Sequence, residues 1–252
     1  MAKGAYDGTL NIVKQAISLG IKKIIVTGTA ASLFDVDLKG AFGTRLITER
    51  DFGPIELPDI RPNEQDPRLL YRAAKTVADK KLWEIAADYP DVDITLLLPT
   101  LVFGPFVPRY PYPSDINHLG TNSFIYALIK GTPGNQNPYP SYPGGYVVDV
   151  RDVAKAHVLA LAAPPIPGRY KRMIISAGTF TWEDAVEVVR KKHPELVPRL
   201  PSASAVPPAQ TSAPLDTSFA SEVLGLKEYI PWQESIAEAI EVCLEYENKL
   251  KA

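Results

Sequence analysis

Residues 69 to 79 read Leu-Leu-Tyr-Arg-Ala-Ala-Lys-Thr-Val-Ala-Asp, and this stretch predicts the start of a helix. Tyr71 and Lys75 are four residues apart, so a helix places both side chains on one face, one above the other. A cation held near a phenol favours the phenolate. Such a tyrosine can exchange a proton with a substrate oxygen near neutral pH. The stretch therefore predicts a helix that carries an acid–base pair.

Strand patterns flank this helix along the chain. Residues 24–26 form a short apolar run typical of a strand covered on both faces, and two more buried strands are predicted at 93–98 and 170–176. A helix predicted over 10–19, ended by Gly20, precedes the first strand. Helices that alternate with buried strands predict an α/β fold with a parallel sheet.

The rest of the chain predicts further helices separated by loops. These helices are expected at 123–130, at 153–162 with Asp152 as its cap, at 182–192 with Thr181 as its cap, and at 232–250. The 24 prolines concentrate between Pro99 and Pro143 and between Pro194 and Pro214. Both stretches are therefore predicted to be largely loop.

Composition narrows the class of protein. The chain has 252 residues, 46% hydrophobic and 22% charged, which is typical of one soluble globular unit. A net charge of -2 argues against a nucleic-acid surface, and the basic cluster at 169–172 is interpreted as a solvated turn.

Cysteine usage and hydropathy bear on location. The single cysteine, Cys243, excludes an intrachain disulfide, and its apolar helical surroundings predict a core residue rather than a nucleophile. This favours a reducing compartment. No apolar run approaches the length of a transmembrane helix, and the first six residues do not form a signal peptide. The sequence therefore predicts a cytoplasmic protein with no membrane partner.

Several segments together resemble one enzyme family. They are Gly8 to Asn11 followed by Ile21 to Thr27, then Thr27-Gly28-Thr29-Ala30-Ala31, Tyr71 to Ala78, Leu98-Pro99-Thr100-Leu101-Val102-Phe103-Gly104-Pro105, Val148 to His157, and Asp216-Thr217-Ser218 with Leu224-Gly225-Leu226. With them the sequence resembles the extended short-chain dehydrogenase/reductases of the NAD-dependent epimerase/dehydratase superfamily. The similarity is greatest to the branch of dihydroflavonol reductase, cinnamoyl-CoA reductase and fungal ketone and aldehyde reductases.

The resemblance implies a fold. We expect a Rossmann-like, doubly wound parallel sheet that is N-terminally truncated, with a small C-terminal substrate-binding lobe. In this single domain, residues 1–105 and 145–180 would form mainly the core, and residues 106–144 and 181–252 mainly the substrate lobe.

The resemblance also implies roles for three residues. Tyr71 would be the general acid in the NAD(P)H-dependent reduction of a ketone or aldehyde. Lys75 would support the phenolate and hold the ribose hydroxyls. Thr29 stands where the family carries its catalytic serine, and its hydroxyl can also donate a hydrogen bond to the substrate oxygen. Gly28 replaces the preceding serine, which we expect to loosen the turn slightly.

The expected cofactor is NADP or NAD, and no metal site is predicted. By resemblance, Lys75, Pro99, Thr100 and Val102 would contact the cofactor. The family binds the pyrophosphate at a Gly-rich turn, but this sequence contains no Gly-x-x-Gly-x-x-Gly. At about 30 residues per βα unit, some three units would be absent before the predicted helix at 10–19. A chain that binds no cofactor is therefore an alternative.

Three explanations of this difference stay open. The sequence is a segment of a longer reductase, a gene model that starts too late, or a natural short protein. In the last case Tyr71, Lys75 and Thr29 could serve a cofactor-independent isomerase, cyclase or lyase. A non-catalytic pseudo-enzyme is the other alternative. The strand at 24–27 would lie at an open edge of the sheet, which a homo-oligomer could cover.

The expected substrate is a small-molecule carbonyl or enol compound, bound between the Thr29 loop and the loops at 105–121 and 133–144. Six aromatic residues there suggest an aromatic substrate, although they could simply pack the loops: Phe103, Phe106, Tyr110, Tyr112, Tyr139 and Tyr142. Four polar residues of the 148–157 segment are interpreted as structural: Asp149, Arg151, Asp152 and His157.

Overall fold

The computed structural model describes residues 2–56, 66–110, 115–133, 138–140, 144–166, 170–202 and 210–251 of the chain. The helices are α1 Ala2–Ser18, α2 Pro67–Asp88, α3 Asn122–Ile129, α4 Val150–Ala162, α5 Trp182–Lys192, α6 Ser218–Leu224 and α7 Trp232–Lys251. The strands are β1 Lys23–Thr27, β2 Asp93–Pro99, β3 Leu101–Phe103, β4 Gly145–Asp149, β5 Lys171–Ile175 and β6 Gly178–Phe180. The predicted α/β class is confirmed.

The chain divides into two compact units. The first consists of Met1–Thr100, Ala154–Ile175 and Thr211–Lys227, and the second of Leu101–Val153, Ser176–Gln210 and Glu228–Ala252. The sequence-based division into core and lobe used other boundaries and stays a prediction. The difference arises because β3 and β4 pair with each other in the second unit, where they form a small sheet that the sequence did not reveal.

The first unit is built on a parallel sheet in the order β1-β2-β5. All residues of β2 and β5 are buried, as their apolar runs predict. In β1, by contrast, residues 23–26 are only half-buried, so the expectation that both faces are covered is wrong. Among the described strands β1 pairs with β2 alone, and this edge position accounts for its exposure.

Helix α2 packs against α1 in the first unit. Asp66 caps it by accepting a 2.8 Å hydrogen bond from the Arg68 N–H, and Pro67 occupies the first helical position. Small residues, among them Ala73 and Ala74, form its buried face. Helix α1 extends eight residues further toward the N-terminus than its sequence pattern predicted.

Two cations of β5 are buried, which corrects the interpretation of this cluster as a solvated turn. Lys171 is 1% exposed and Arg172 is 0% exposed. Lys171 Nζ lies 2.5 Å from Asp93 Oδ1 at the start of β2, and Lys23 Nζ lies 2.7 Å from Asp93 Oδ2. Charge is tolerated in this strand because each cation meets acidic or carbonyl oxygens. Arg169 of the same cluster lies outside the described residues.

The second unit contains a three-stranded sheet in the order β3-β4-β6, in which β3 and β4 run parallel and β6 runs antiparallel. Neither β3 nor β6 was predicted. Helices α3, α5 and α7 supply much of one apolar cluster. Cys243 is fully buried in it, as predicted. None of the helices in the described ranges combines the length and apolarity needed to cross a membrane.

Candidate active site

The first predicted site residue, Thr29, lies just beyond the carboxyl end of β1. Its side chain caps a 3₁₀ turn over Ala30–Leu33, where Oγ1 accepts a 3.2 Å hydrogen bond from the Ala31 N–H. A hydroxyl that accepts one bond still has its proton to donate. Thr29 is half-buried, and its hydroxyl can therefore serve both the turn and a substrate oxygen.

Gly28 lies close to β2, and the expectation that it loosens the turn stays a prediction. Its N–H donates a 2.8 Å hydrogen bond to the Leu97 carbonyl in the neighbouring strand. A Cβ at this position would come within 2.8 Å of Leu98 Cδ2 and 3.0 Å of Leu96 Cδ1. A serine would therefore have to displace two side chains of β2, and glycine permits the close approach.

Tyr71 and Lys75 lie one turn apart in the first half of α2, as predicted. The tyrosine is 52% exposed, and Lys75 is half-buried. Between them Ala73 and Ala74 turn inward. The phenol is thus accessible on the surface of a well-packed helix rather than packed into the core.

The structure brings the turn that follows Thr29 against α2. Within this contact Ser32 Oγ lies 2.6 Å from Asp79 Oδ2, and it lies 2.9 Å from the Thr29 carbonyl oxygen. Asp79 is four residues beyond Lys75 on the same helix face. Sequence reasoning missed Asp79, although a carboxylate at that helical spacing from Tyr71 and Lys75 was visible in the quoted stretch.

Apart from Lys75 in α2, the residues expected to contact a cofactor lie at or after the end of β2. Pro99 is buried at its last position. The Thr100 N–H donates a 3.2 Å hydrogen bond to the Ile175 carbonyl, while its buried Oγ1 has no hydrogen-bond partner among the described residues. A buried hydroxyl without a partner is suited to a polar ligand. Val102 is half-buried in β3 of the second unit.

Three of the residues interpreted as structural have structural partners in the second unit. Asp149 is fully buried and accepts hydrogen bonds from Arg151 Nε at 2.8 Å and from Ser235 Oγ at 2.6 Å. Burial alone would raise the pKa of Asp149, but these bonds hold it below its usual value. Asp152 accepts a bond from the Ile230 N–H. It lies inside the first turn of α4, so its predicted role as the helix cap is wrong.

The fourth of them, His157, belongs to the first unit. Its Nε2 lies 2.7 Å from Thr27 Oγ1 at the end of β1. This contact agrees with a satisfied helix-face histidine. Within the described ranges, no group of three or more His, Cys, Asp or Glu residues is arranged to hold a metal ion.

The predicted aromatic residues divide into two groups. Phe103 and Tyr139 are core residues of the second unit, and Phe103 packs edge-on against Phe180. Phe106 stacks on Tyr110 at 4.5 Å between ring centroids. Both line an open cavity of about 420 Å³ beside α7. Tyr112 and Tyr142 lie outside the described residues.

The chain is similar to one protein family and to several known reductases. The family model described as "NAD dependent epimerase/dehydratase family" matches residues 3–171. The chain is 26% identical to the NADPH-dependent methylglyoxal reductase GRE2 of Saccharomyces cerevisiae, over 99% of this chain and 71% of that protein. It is 30% identical to the ketoreductase azaE of Aspergillus niger, over 78% of this chain and 55% of that protein.

A solved structure agrees with these similarities. The crystal structure of Gre2 from Candida albicans in complex with NADPH superposes with a TM-score of 0.77 and 25% identity. The match covers 96% of this chain and 70% of that one. The chain thus spans between about half and three quarters of the length of these relatives.

Proposed function

Because the chain belongs to the NAD dependent epimerase/dehydratase family, we propose that it carries the proton-transfer part of a carbonyl reductase site. The observation that carries the proposal is the arrangement of α2, which presents Tyr71 and Lys75 one turn apart and packs against the turn that begins at Thr29. In this proposal Tyr71 donates a proton to the carbonyl oxygen of an aldehyde or ketone as that oxygen gains negative charge.

Lys75 and Thr29 support that proton transfer. Lys75 is a half-buried residue one helical turn from Tyr71, and its positive charge stabilises the phenolate left behind after the proton is given up. Thr29 donates its hydroxyl proton to the substrate oxygen. The proton is available for this because Oγ1 only accepts in its hydrogen bond with the Ala31 N–H. Two donors aimed at one oxygen stabilise the charge that develops there.

The cofactor proposed for the site is NADPH, which is the dinucleotide named for GRE2 and for the solved Gre2 complex. A reduced nicotinamide supplies a hydride when it is bound. Lys75, Pro99 and Thr100, all in the first unit, are the residues of this chain proposed to hold its nicotinamide end, and the contact expected of Val102 stays a prediction. The buried Thr100 Oγ1, which has no hydrogen-bond partner in the part of the chain that the structure describes, supports this assignment. The relatives reported above are reductases, and they favour neither the cofactor-independent nor the non-catalytic alternative.

The proposed substrates are small aldehydes and ketones, in line with the methylglyoxal reductase and ketoreductase named above. Assembly into a homo-oligomer that covers the β1 edge is a further part of the proposal. The exposed apolar side chains of Ile12 and Leu19, which precede this strand in the chain, support it. Sedimentation velocity over a range of chain concentrations tests the assembly directly.

Turnover by the purified chain tests the proposed reaction. NADPH oxidation is followed by absorbance with methylglyoxal and with an aromatic ketone, and the alcohol product is identified by mass spectrometry. We expect Thr29→Ser to retain activity and Thr29→Val to lose about 10-fold to 1,000-fold in kcat, because only the serine keeps a hydroxyl donor. Wild-type protein that reduces neither compound, or equal rates for the two variants, would contradict the proposal.

A further inference from the structure

Arg172 is a fully buried cation that the proposed reaction does not use. It lies in β5, where it is 0% exposed. Burying a guanidinium is costly unless its donors are paired, so the partners it meets indicate what it holds in place. Those partners belong to three separate parts of the first unit.

The first two partners connect α2 with the turn that follows Thr29. Arg172 Nε donates to both carboxylate oxygens of Asp79 at 2.9 and 3.0 Å, and Nη2 donates to Asp79 Oδ2 at 2.5 Å. Nη2 also lies 3.2 Å from Ser32 Oγ, which in turn contacts Asp79. One guanidinium thus bridges the helix that carries Tyr71 to the turn that Thr29 begins.

The third partner is the loop at 49–53. Arg172 Nη1 donates to the carbonyl oxygens of Glu49 and Asp51, both at 2.6 Å, and the guanidinium carbon lies 3.9 Å from the centroid of the Phe52 ring. The same loop is tied back to the turn, because the Gly53 N–H donates to the Ser32 carbonyl at 2.8 Å. All five N–H donors of the guanidinium therefore have acceptors.

This arrangement can set the distance between α2 and the turn that begins at Thr29, in addition to stabilising the fold. Asp79 lies on the α2 face of Lys75, and Ser32 is three residues beyond Thr29, so Arg172 reaches both halves of the proposed site through one residue each. A planar fork with five donors fixes its acceptors in orientation, which a lysine ammonium does not. Asp79 is 3% exposed and Arg172 is 0% exposed, so neither side chain is open to a substrate.

We infer that Arg172, through its buried contacts with Asp79, Ser32 and the 49–53 loop, is a positioning residue that sets the Thr29 hydroxyl against the Tyr71–Lys75 helix. The inference rests on the proposed function for its catalytic consequence. Its structural consequence, order in the Thr29 turn, can be measured without any turnover.

Two variants and a matched control test the inference. Arg172→Lys keeps the charge but has fewer donors, and Arg172→Met/Asp79→Leu replaces the whole buried pair by apolar side chains, a change that proteins often tolerate. The control is Lys171→Met, which removes the neighbouring buried cation. Lys171 points to the opposite face of β5, where it contacts Asp93 and the Pro164 carbonyl instead of the site.

Amide hydrogen exchange gives the first readout. The informative amides are those of Ala31, Ser32 and Gly53, which donate to Thr29 Oγ1, the Thr29 carbonyl and the Ser32 carbonyl. In either Arg172 variant we expect them to exchange at least about tenfold faster, relative to the amides of β2, than in the wild type. Lys171→Met should change the exchange rates of all amides alike, to the extent set by its change in overall stability.

Steady-state kinetics gives the second readout. In the Arg172 variants kcat should fall about 100-fold with little change in KM, because a displacement of about 1 Å between reacting groups has that effect. If the wild type shows no turnover, the proposed function fails and the exchange measurement alone decides the inference. The inference would be overturned if the three amides exchanged at the wild-type rate in Arg172→Lys. The same result in a folded Arg172→Met/Asp79→Leu variant would also overturn it.

Discussion

Replacing Asp149 by asparagine should destabilise the second unit in a pH-dependent way. The buried carboxylate accepts from Ser235 Oγ at 2.6 Å, from the Arg151 N–H at 2.8 Å, and from the Arg151 guanidinium at 2.8 and 2.9 Å. Arg151 is 41% exposed, so solvent screening reduces its ion pair to about 0.5 kcal/mol. The two other bonds to a buried charge contribute about 1.5 kcal/mol each. Asparagine keeps an acceptor for one of them.

The expected loss is therefore about 2 kcal/mol at pH 7, which corresponds to about 4 to 8 °C in Tm. The pKa of Asp149 is lowered in the folded chain from 3.8, so its carboxylate stabilises the fold fully above that value. The stabilisation is lost as the pH falls through the folded pKa. The difference between wild type and variant should accordingly shrink below about pH 4.

Urea unfolding followed by tryptophan fluorescence measures this difference, because two of the three tryptophans, Trp182 and Trp232, lie in the second unit. Asp37→Asn is the matched control, since that carboxylate is exposed. The reasoning is refuted if Asp149→Asn unfolds at the wild-type urea concentration at pH 7. It is also refuted if the full difference persists after the carboxylate of the wild type is protonated.

Three further predictions concern two buried residues, Cys243 and Leu97, and the cap of α5 at Thr181. Burial raises the pKa of the Cys243 thiol to about 12. A disulfide reagent at pH 8 should therefore label the native protein far more slowly than protein unfolded in urea. Rapid labelling of the native protein would argue against the packing of α7. Leu97→Ala in the fully buried β2 should cost about 3 to 5 kcal/mol in urea unfolding, whereas a cost below about 1 kcal/mol would mean that this strand is not in the core. Thr181→Ala should cost about 1 kcal/mol, because Thr181 and Asp184 form a reciprocal cap at the start of α5. Thr181→Ser keeps the hydroxyl and should therefore retain most of the wild-type stability in the same assay.

Local signals allowed the first unit to be predicted well. The stretch at 69–79 predicted α2, although Pro67 at its first position was assigned to the preceding loop, and the apolar runs at 24–26 and 93–98 predicted β1 and β2. The spacing of Tyr71 and Lys75 was sufficient to place them on one helix face. These features depend on residues that are close together in the sequence, and so they can be read without knowledge of the fold.

Contacts between distant residues account for what the sequence did not reveal. Strands β3 and β6 have three residues each, and their pairing with β4 joins Leu101 to Val147 and Phe180 to Gly145. Arg172 looked like part of a solvated basic cluster because its partner Asp79 lies 93 residues away. A charge pattern does not show such a partner, so the network behind the proposed site became visible only in three dimensions.

The central claim is that the Tyr71 phenol supplies the proton to the substrate, and one kinetic comparison tests it most directly. Tyr71→Phe removes only the hydroxyl, and Tyr89→Phe removes the hydroxyl of an exposed tyrosine at the end of the same helix. With methylglyoxal and NADPH at saturation, we expect kcat of Tyr71→Phe to fall about 100-fold to 10,000-fold while Tyr89→Phe keeps the wild-type value. A Tyr71→Phe protein that turns over at the wild-type rate would contradict the claim.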